Sequence, residues 1–180
     1  MTDTRKLVVV TTMLAVAVTA LVAGVMWQRH SSSTTISSIG AIDDLREYES
    51  SWRVINGESS ILVDDLKNKT VVLNFWGSWC PPCISEMPLL DRFNTEHSEQ
   101  GVQVVGVVID REQAAKDFLQ SNQIRFPSLI AEMHVTDELM ELLGNDDGVL
   151  PYTVAFGRTG ERVYTHEGPL KEEDLLKLIQ

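Results

Sequence analysis

Two cysteines separated by two prolines, at the end of an apolar run, constrain this chain more than any other feature. Thr70 to Trp76 reads Thr-Val-Val-Leu-Asn-Phe-Trp, a near-continuous β-rich stretch that suits a central strand covered on both faces. Gly77-Ser78-Trp79 then leads into Cys80-Pro81-Pro82-Cys83. From Pro81 to about His97 the apolar positions Ile84, Met87, Leu90 and Phe93 recur at helical spacing, with Pro82 tolerable only in the first turn. Cys80 therefore falls where a strand ends and a helix begins. Free backbone N–H groups and the positive end of the helix dipole stabilise an anion there. The thiolate is the attacking species in disulfide exchange, so Cys80 is the expected nucleophile and Cys83, about one turn on, the resolving cysteine. Pro81 and Pro82 stiffen the loop and remove competing N–H donors.

The rest of the composition narrows the chemistry. Only 2 cysteines occur in 180 residues, and no second pair or histidine cluster is at hand to complete a four-ligand zinc site. No metal and no organic cofactor is expected, which leaves the redox work to the cysteine pair. A purely structural bridge across so short a loop would constrain the unfolded chain little. The formal charge of −11 argues against a nucleic-acid partner. The length accommodates one ordinary domain and a targeting segment.

That targeting segment is at the start. Residues 1–6 carry the basic doublet Arg5-Lys6, and Leu7 to Trp27 gives 21 uncharged residues, the length a helix needs to cross a bilayer. Residues 7–27 are expected to be a membrane anchor, the alternative being a signal peptide cleaved near Val18-Thr19-Ala20. Arg5 and Lys6, partly offset by Arg29, orient residues 1–6 to the cytoplasm. Residues 28–43, rich in Ser and Thr, read as a flexible linker, and residues 44–180 as the folded domain.

Within that domain, Trp52 to Ile55 and Ser59 to Val63 flank Asn56-Gly57 as a predicted hairpin. Val102 to Ile109 is a second buried strand, and Asp110 can cap the helix after it. Phe126 to Ala131 reads as a short strand and Asp137 to Leu143 as a helix. Pro151 to Phe156 with Arg162 to Thr165 form a hairpin, and Lys171 to Ile179 a last helix. Strands and helices in this order indicate a mixed α/β sheet.

The stretch Asn74-Phe75-Trp76-Gly77-Ser78-Trp79-Cys80-Pro81-Pro82-Cys83-Ile84-Ser85-Glu86-Met87-Pro88 resembles membrane-anchored thioredoxin-like proteins of the TlpA and cytochrome-c-maturation reductase group. The resemblance runs from about Ser51 to the C-terminus. It implies a thioredoxin-like fold, a central mixed sheet flanked by helices, with an added N-terminal β-hairpin and one preceding transmembrane helix. It also implies a domain held at the bacterial inner membrane, in the periplasm or outside the cell, and reducing power drawn from a membrane electron donor of the thiol-reducing type. Apocytochrome c is one candidate among exported protein substrates.

The same resemblance assigns roles to single residues. Pro151 fits a cis-proline facing the cysteines, with the Leu150 backbone turned outward to pair with a substrate strand. Many relatives carry Thr where this chain has Leu150. Glu86 matches an acidic active-site residue that exchanges protons with a thiol, the plainer alternative being a solvated glutamate on the helix surface. Asn74 stands where plain thioredoxins place a buried aspartate, and it cannot titrate. Trp79 is expected on the substrate surface beside Cys80, with Asp146 and Asp147 preceding the Pro151 loop.

Three functions remain compatible with these residues. The first is reduction of disulfides in exported proteins by the Cys80/Cys83 dithiol. The second is oxidation or isomerisation with the same atoms at a higher potential. The third is a membrane-tethered module that binds peptide strands without redox chemistry.

Overall fold

Every residue from Thr70 to Trp76 is buried, so this segment needs a partner on both edges and cover on both faces. In the computed structural model, which describes residues 41–57 and 60–179, a mixed sheet supplies both. The described part opens with a 3₁₀ helix, Ile42–Ser51. It then forms β1 (Arg53–Val54), α1 (Val63–Leu66), β2 (Thr70–Trp76) and α2 (Pro81–His97), which ends in a 3₁₀ turn, Ser98–Gln100. Next come β3 (Val102–Val108), α3 (Glu112–Ser121), β4 (Ser128–Ile130) and α4 (Met133–Leu142). β5 (Tyr152–Phe156), β6 (Arg162–Glu167) and α5 (Glu172–Leu176) close the fold, with a last 3₁₀ turn at Lys177–Ile179. The segment 7–27, expected to cross a membrane, lies outside the described residues, as do residues 1–6 and the linker up to residue 40. No helix among the described residues is long and apolar enough to span a bilayer.

The sheet order is β1-β4-β3-β2-β5-β6. β2 runs parallel to β3 and antiparallel to β5, and β3 runs parallel to β4. Strand parity then divides the core. Val72 and Trp76, with Val104 and Val108, face Cys83, Met87 and Leu90 of α2, Leu119 of α3 and Leu175 of α5. Val71, Leu73 and Phe75, with Val105 and Val107, face Ile42, Leu45, Leu66 and Leu139 on the other side. This is the thioredoxin-like architecture expected from the sequence, a mixed sheet between helical layers. Ile42 also donates its N–H to the Gly160 carbonyl at 2.9 Å. The end of the Ser/Thr-rich segment is therefore already inside the folded unit.

The expected hairpin at Asn56-Gly57 does not form. Arg53–Val54 pairs antiparallel with β4 instead, and Val63 begins a helix; residues 58 and 59 lie outside the described residues. The reason is the Asn56 side chain, which pairs with backbone like one more strand residue. Its Nδ2 donates to the Phe126 carbonyl at 2.8 Å, and its Oδ1 accepts the Ser128 N–H at 2.7 Å. A turn-forming dipeptide is thus consumed by a long-range contact. The helix expected from Asp137 starts a turn earlier, at Met133, because Val135 and Thr136 share its buried face with Leu139 and Met140.

Replacing Asn56 by Ala leaves the Phe126 carbonyl and the Ser128 N–H without this partner. The substitution is expected to cost about 1–3 kcal/mol of stability, measured as a lower urea midpoint at unchanged slope.

Candidate active site

The parallel register between β2 and β3 brings the site together. Trp76 lies opposite Val108, and the Ile109 N–H donates to the Trp76 carbonyl at 2.8 Å. The residues just after β3 therefore lie beside the loop Gly77-Ser78-Trp79. Asp110 accepts the Ser78 N–H at 2.8 Å and the Ser78 hydroxyl as well, and the Ile109 carbonyl accepts the Trp79 Nε1–H at 2.7 Å. Glycine is required at position 77. A Cβ there would sit 2.6 Å from Trp79 Nε1 and 2.8 Å from the Ile109 oxygen. Asp110, expected to cap the next helix, instead braces the loop that leads to Cys80, and Arg111 occupies the cap position. Trp79 is held at its ring nitrogen yet remains 62% exposed.

Cys80 is the N-cap of α2, and Pro81 and Pro82 are its first two residues. Neither proline carries an N–H, so the first amide the helix offers belongs to Cys83. That amide points at the Cys80 sulfur, with N to Sγ 3.3 Å. The next, from Ile84, closes the first helical bond to the Cys80 carbonyl. The two prolines thus leave a single donor, aimed at one atom. Cys80 and Cys83 are joined as a disulfide, with Cα atoms 5.3 Å apart. Cys83 is fully buried and Cys80 is 4% exposed, so Cys80 is the more accessible of the two.

Glu86 is 3% exposed, which rules out the solvated-surface alternative. It lies three residues after Cys83, on the same buried face of α2. Its Oε1 accepts from Asn74 Nδ2 at 2.8 Å, and its Oε2 accepts the Leu170 N–H at 2.6 Å. Asn74 Nδ2 also donates to Thr153 Oγ1 at 3.0 Å. Parity explains the meeting. Asn74 shares the α2 face of β2 with Val72 and Trp76, and Thr153 lies directly opposite it on β5. Burial pushes the Glu86 carboxyl above the ordinary carboxylate value, and the hydrogen bonds from Leu170 and Asn74 oppose that shift without cancelling it. Sequence reasoning misses Thr153 and Leu170, and it holds Asn74 only as a group that cannot titrate.

The Leu150–Pro151 peptide is cis, as expected from the resemblance. The Pro151 carbonyl accepts the Gly168 N–H at 2.8 Å. Leu150 is half-buried, its side chain touching both halves of the core. Asp146 and Asp147 are exposed in the preceding turn.

A thioredoxin-like sheet with a disulfide at the junction of its central strand and the following helix defines a thiol–disulfide oxidoreductase. The chain belongs to the Redoxin family, whose pattern it matches over residues 53–179. It is 34% identical over 133 residues to the thiol-disulfide oxidoreductase ResA of Halalkalibacterium halodurans, covering 70% of each chain. It is 33% identical over 122 residues to the Bacillus cereus protein of the same name, covering 67% of each. Among solved structures it resembles StoA from Bacillus subtilis, at 29% identity and a TM-score of 0.54, over 63% of this chain and 84% of that one. It also resembles a thioredoxin-related protein from Neisseria meningitidis serogroup B, at 26% identity and a TM-score of 0.62, over 71% and 95%.

The raised Glu86 pKa has a signed consequence for stability. The folded state holds this proton more tightly than the unfolded chain. The stabilising contribution is therefore complete below the ordinary carboxylate value of 4.5 and is lost as pH rises through the raised one. In the oxidised protein, where the cysteines do not titrate, wild type is expected to lose stability relative to Glu86→Gln between pH 4 and pH 8. Each tenfold by which the fold tightens its hold on the proton corresponds to a loss of about 1.4 kcal/mol. Paired urea titrations at the two pH values measure it, and a constant difference would contradict the burial argument.

Proposed function

We propose that this protein is a membrane-tethered, extracytoplasmic reductase of disulfides in exported proteins. The observation that carries the direction is the buried Glu86 carboxyl on the cysteine face of α2. In a strong oxidant of this type the reduced form is stabilised. Here the two ends of the site act oppositely. At Cys80 the Cys83 N–H and the helix dipole favour the thiolate. At Cys83 the Glu86 carboxyl three residues on, on the same face of the helix, opposes a second negative charge whenever it is ionised. Cys80 is then the thiolate and Cys83 stays protonated until it is needed. The carboxylate works against negative charge on the reduced pair and so offsets the stabilisation of the reduced form that the helix gives at Cys80, which suits a reductase.

The cycle follows from these assignments. Cys80 thiolate attacks one sulfur of a substrate disulfide, and the other leaves as a thiolate. Glu86 takes the Cys83 proton, and the Cys83 thiolate attacks Cys80 Sγ. The Cys80–Cys83 disulfide forms and the second substrate thiol is released. Two electrons have passed to the substrate, and a membrane electron donor of the thiol-reducing type restores the pair. In this reading the cysteines alone carry the electrons. Trp79 offers an apolar face beside Cys80, while the Leu150 backbone next to Pro151 pairs with the extended substrate segment. The ResA name carried by the relatives supports thiol–disulfide exchange, and the basic, then apolar, segment 5–27 supports the membrane location. Apocytochrome c is the candidate substrate that the cytochrome-c-maturation resemblance suggests.

In assays with insulin as substrate and dithiothreitol as donor, Cys80→Ser is expected to be inactive. Reduced beforehand and mixed with insulin in the absence of dithiothreitol, Cys83→Ser is expected to accumulate a mixed disulfide through Cys80, visible as an added mass that later addition of dithiothreitol removes. Full activity in Cys80→Ser would overturn the proposed cycle. Equal binding of protein partners with both cysteines changed, and no turnover by wild type, would favour the non-catalytic binding module.

A further inference from the structure

The turn that carries Leu150 is held by a residue with no part in the redox chemistry. Asn145 is 3% exposed although its side chain is an amide. Its own N–H donates to the Met140 carbonyl at 2.8 Å, which ties it to the end of α4. Its side chain then reaches across the turn and takes both backbone groups of Val149. Oδ1 accepts the Val149 N–H at 2.9 Å, and Nδ2 donates to the Val149 carbonyl at 3.0 Å. Nδ2 also lies 3.5 Å from Met140 Sδ, and the Asn145 carbonyl accepts the Gly148 N–H at 3.2 Å. The anchor point is braced in turn. The Leu143 carbonyl accepts from the Tyr152 hydroxyl at 2.7 Å and from Arg162 Nη1 at 2.9 Å, which ties the end of α4 to β5 and β6.

This double bond to Val149 decides which way the next residue faces. Across a trans peptide the N–H of residue 150 points opposite to the carbonyl of residue 149. With the Val149 carbonyl turned in toward Asn145, the Leu150 N–H is turned out. The Val149 side chain is exposed on the same turn. Asn145 thus acts as a built-in mimic of a neighbouring strand. It occupies the inward edge of Val149 and leaves the outward edge of Leu150 for a substrate.

We propose that Asn145 is a positioning residue for protein substrates, acting through Val149 to present the Leu150 backbone to an extended segment beside the disulfide of the target. The proposal rests on the thiol–disulfide exchange reading above. It separates two kinds of substrate. A protein disulfide in an extended segment uses the Leu150 edge, whereas a small aromatic disulfide needs only the Cys80 sulfur. Loss of the Asn145 bonds should weaken docking of the first and leave the second untouched.

The experiment compares full-length wild type with Asn145→Ala and with Asn145→Asp. The aspartate is nearly isosteric and keeps an acceptor for the Val149 N–H while removing the donor to its carbonyl. Three quantities are read: KM and kcat for insulin with dithiothreitol as donor, the rate of reduction of dithiobis-nitrobenzoate, and the Cys80/Cys83 midpoint potential. The proposal expects KM for insulin to rise about tenfold in Asn145→Ala, as for the loss of roughly one net hydrogen bond. Asn145→Asp should show at least as large a rise, because its second oxygen meets the Val149 carbonyl where Asn145 donates. In both variants kcat, the small-disulfide rate and the potential stay within about twofold or a few millivolts of wild type. An unchanged insulin KM in a folded variant overturns it, as does a parallel fall in both substrates. Failure of both variants to fold makes Asn145 a residue of the fold alone and also overturns it. A wild type that reduces neither substrate would instead sink the underlying reading.

Discussion

The parallel pairing of β2 with β3 is the constraint on which the site depends. Seven consecutive residue pairs, from Thr70 with Val102 to Trp76 with Val108, lock the two strands in one register. A slip of one residue would turn Val72, Asn74 and Trp76 to the opposite face and carry Glu86's partner away from α2. The same register sets Ile109 and Asp110 against the Gly77-Ser78-Trp79 loop. The position of Cys80 is thereby inherited from a buried, mostly apolar ladder rather than from local loop preferences.

In the proposed cycle, two opposing electrostatic effects on that scaffold divide the labour between the cysteines. Helix N-terminal donors stabilise an anion near Cys80, and the prolines reduce those donors to one amide, that of Cys83. Three residues further on, a carboxyl is buried where water would ordinarily solvate it, held by Asn74 and by the Leu170 N–H. Burying such a group costs free energy unless it is hydrogen-bonded. The surrounding network meets that cost in part and leaves the proton more tightly held than in water. The Glu86 network also joins three parts of the chain that meet only in the folded state: β2, β5 and the Gly168-Pro169-Leu170 segment.

Much of this is legible in the sequence, for identifiable reasons. The strand, the cysteine pair and α2 are readable because their signals are local: a continuous apolar run, a spacing and a helical period. Glu86 is readable as a candidate, and its burial has a signal, since it falls between Cys83 and Leu90 on the stripe that also holds Met87. The hairpin at Asn56-Gly57 fails because the same dipeptide that favours a turn has a side chain able to pair with Phe126 and Ser128, some seventy residues away. Asp110 looks like a helix cap for a similar reason, a short-range rule overridden by a long-range partner. Thr153, Leu170 and Asn145 carry no sequence signal of their own. Their roles come from strand pairing and turn closure, which only the folded chain displays.

The central claim is that this site is arranged to give electrons to disulfides rather than to take them. The midpoint potential of the Cys80/Cys83 couple in the full-length protein, equilibrated in thiol–disulfide buffers, tests it directly. The account predicts a value between that of thioredoxin, about −270 mV, and the upper end of the glutaredoxins, about −200 mV, or below this range. A value near about −120 mV, as for a strong oxidant of this fold, would contradict it and make the protein a disulfide donor.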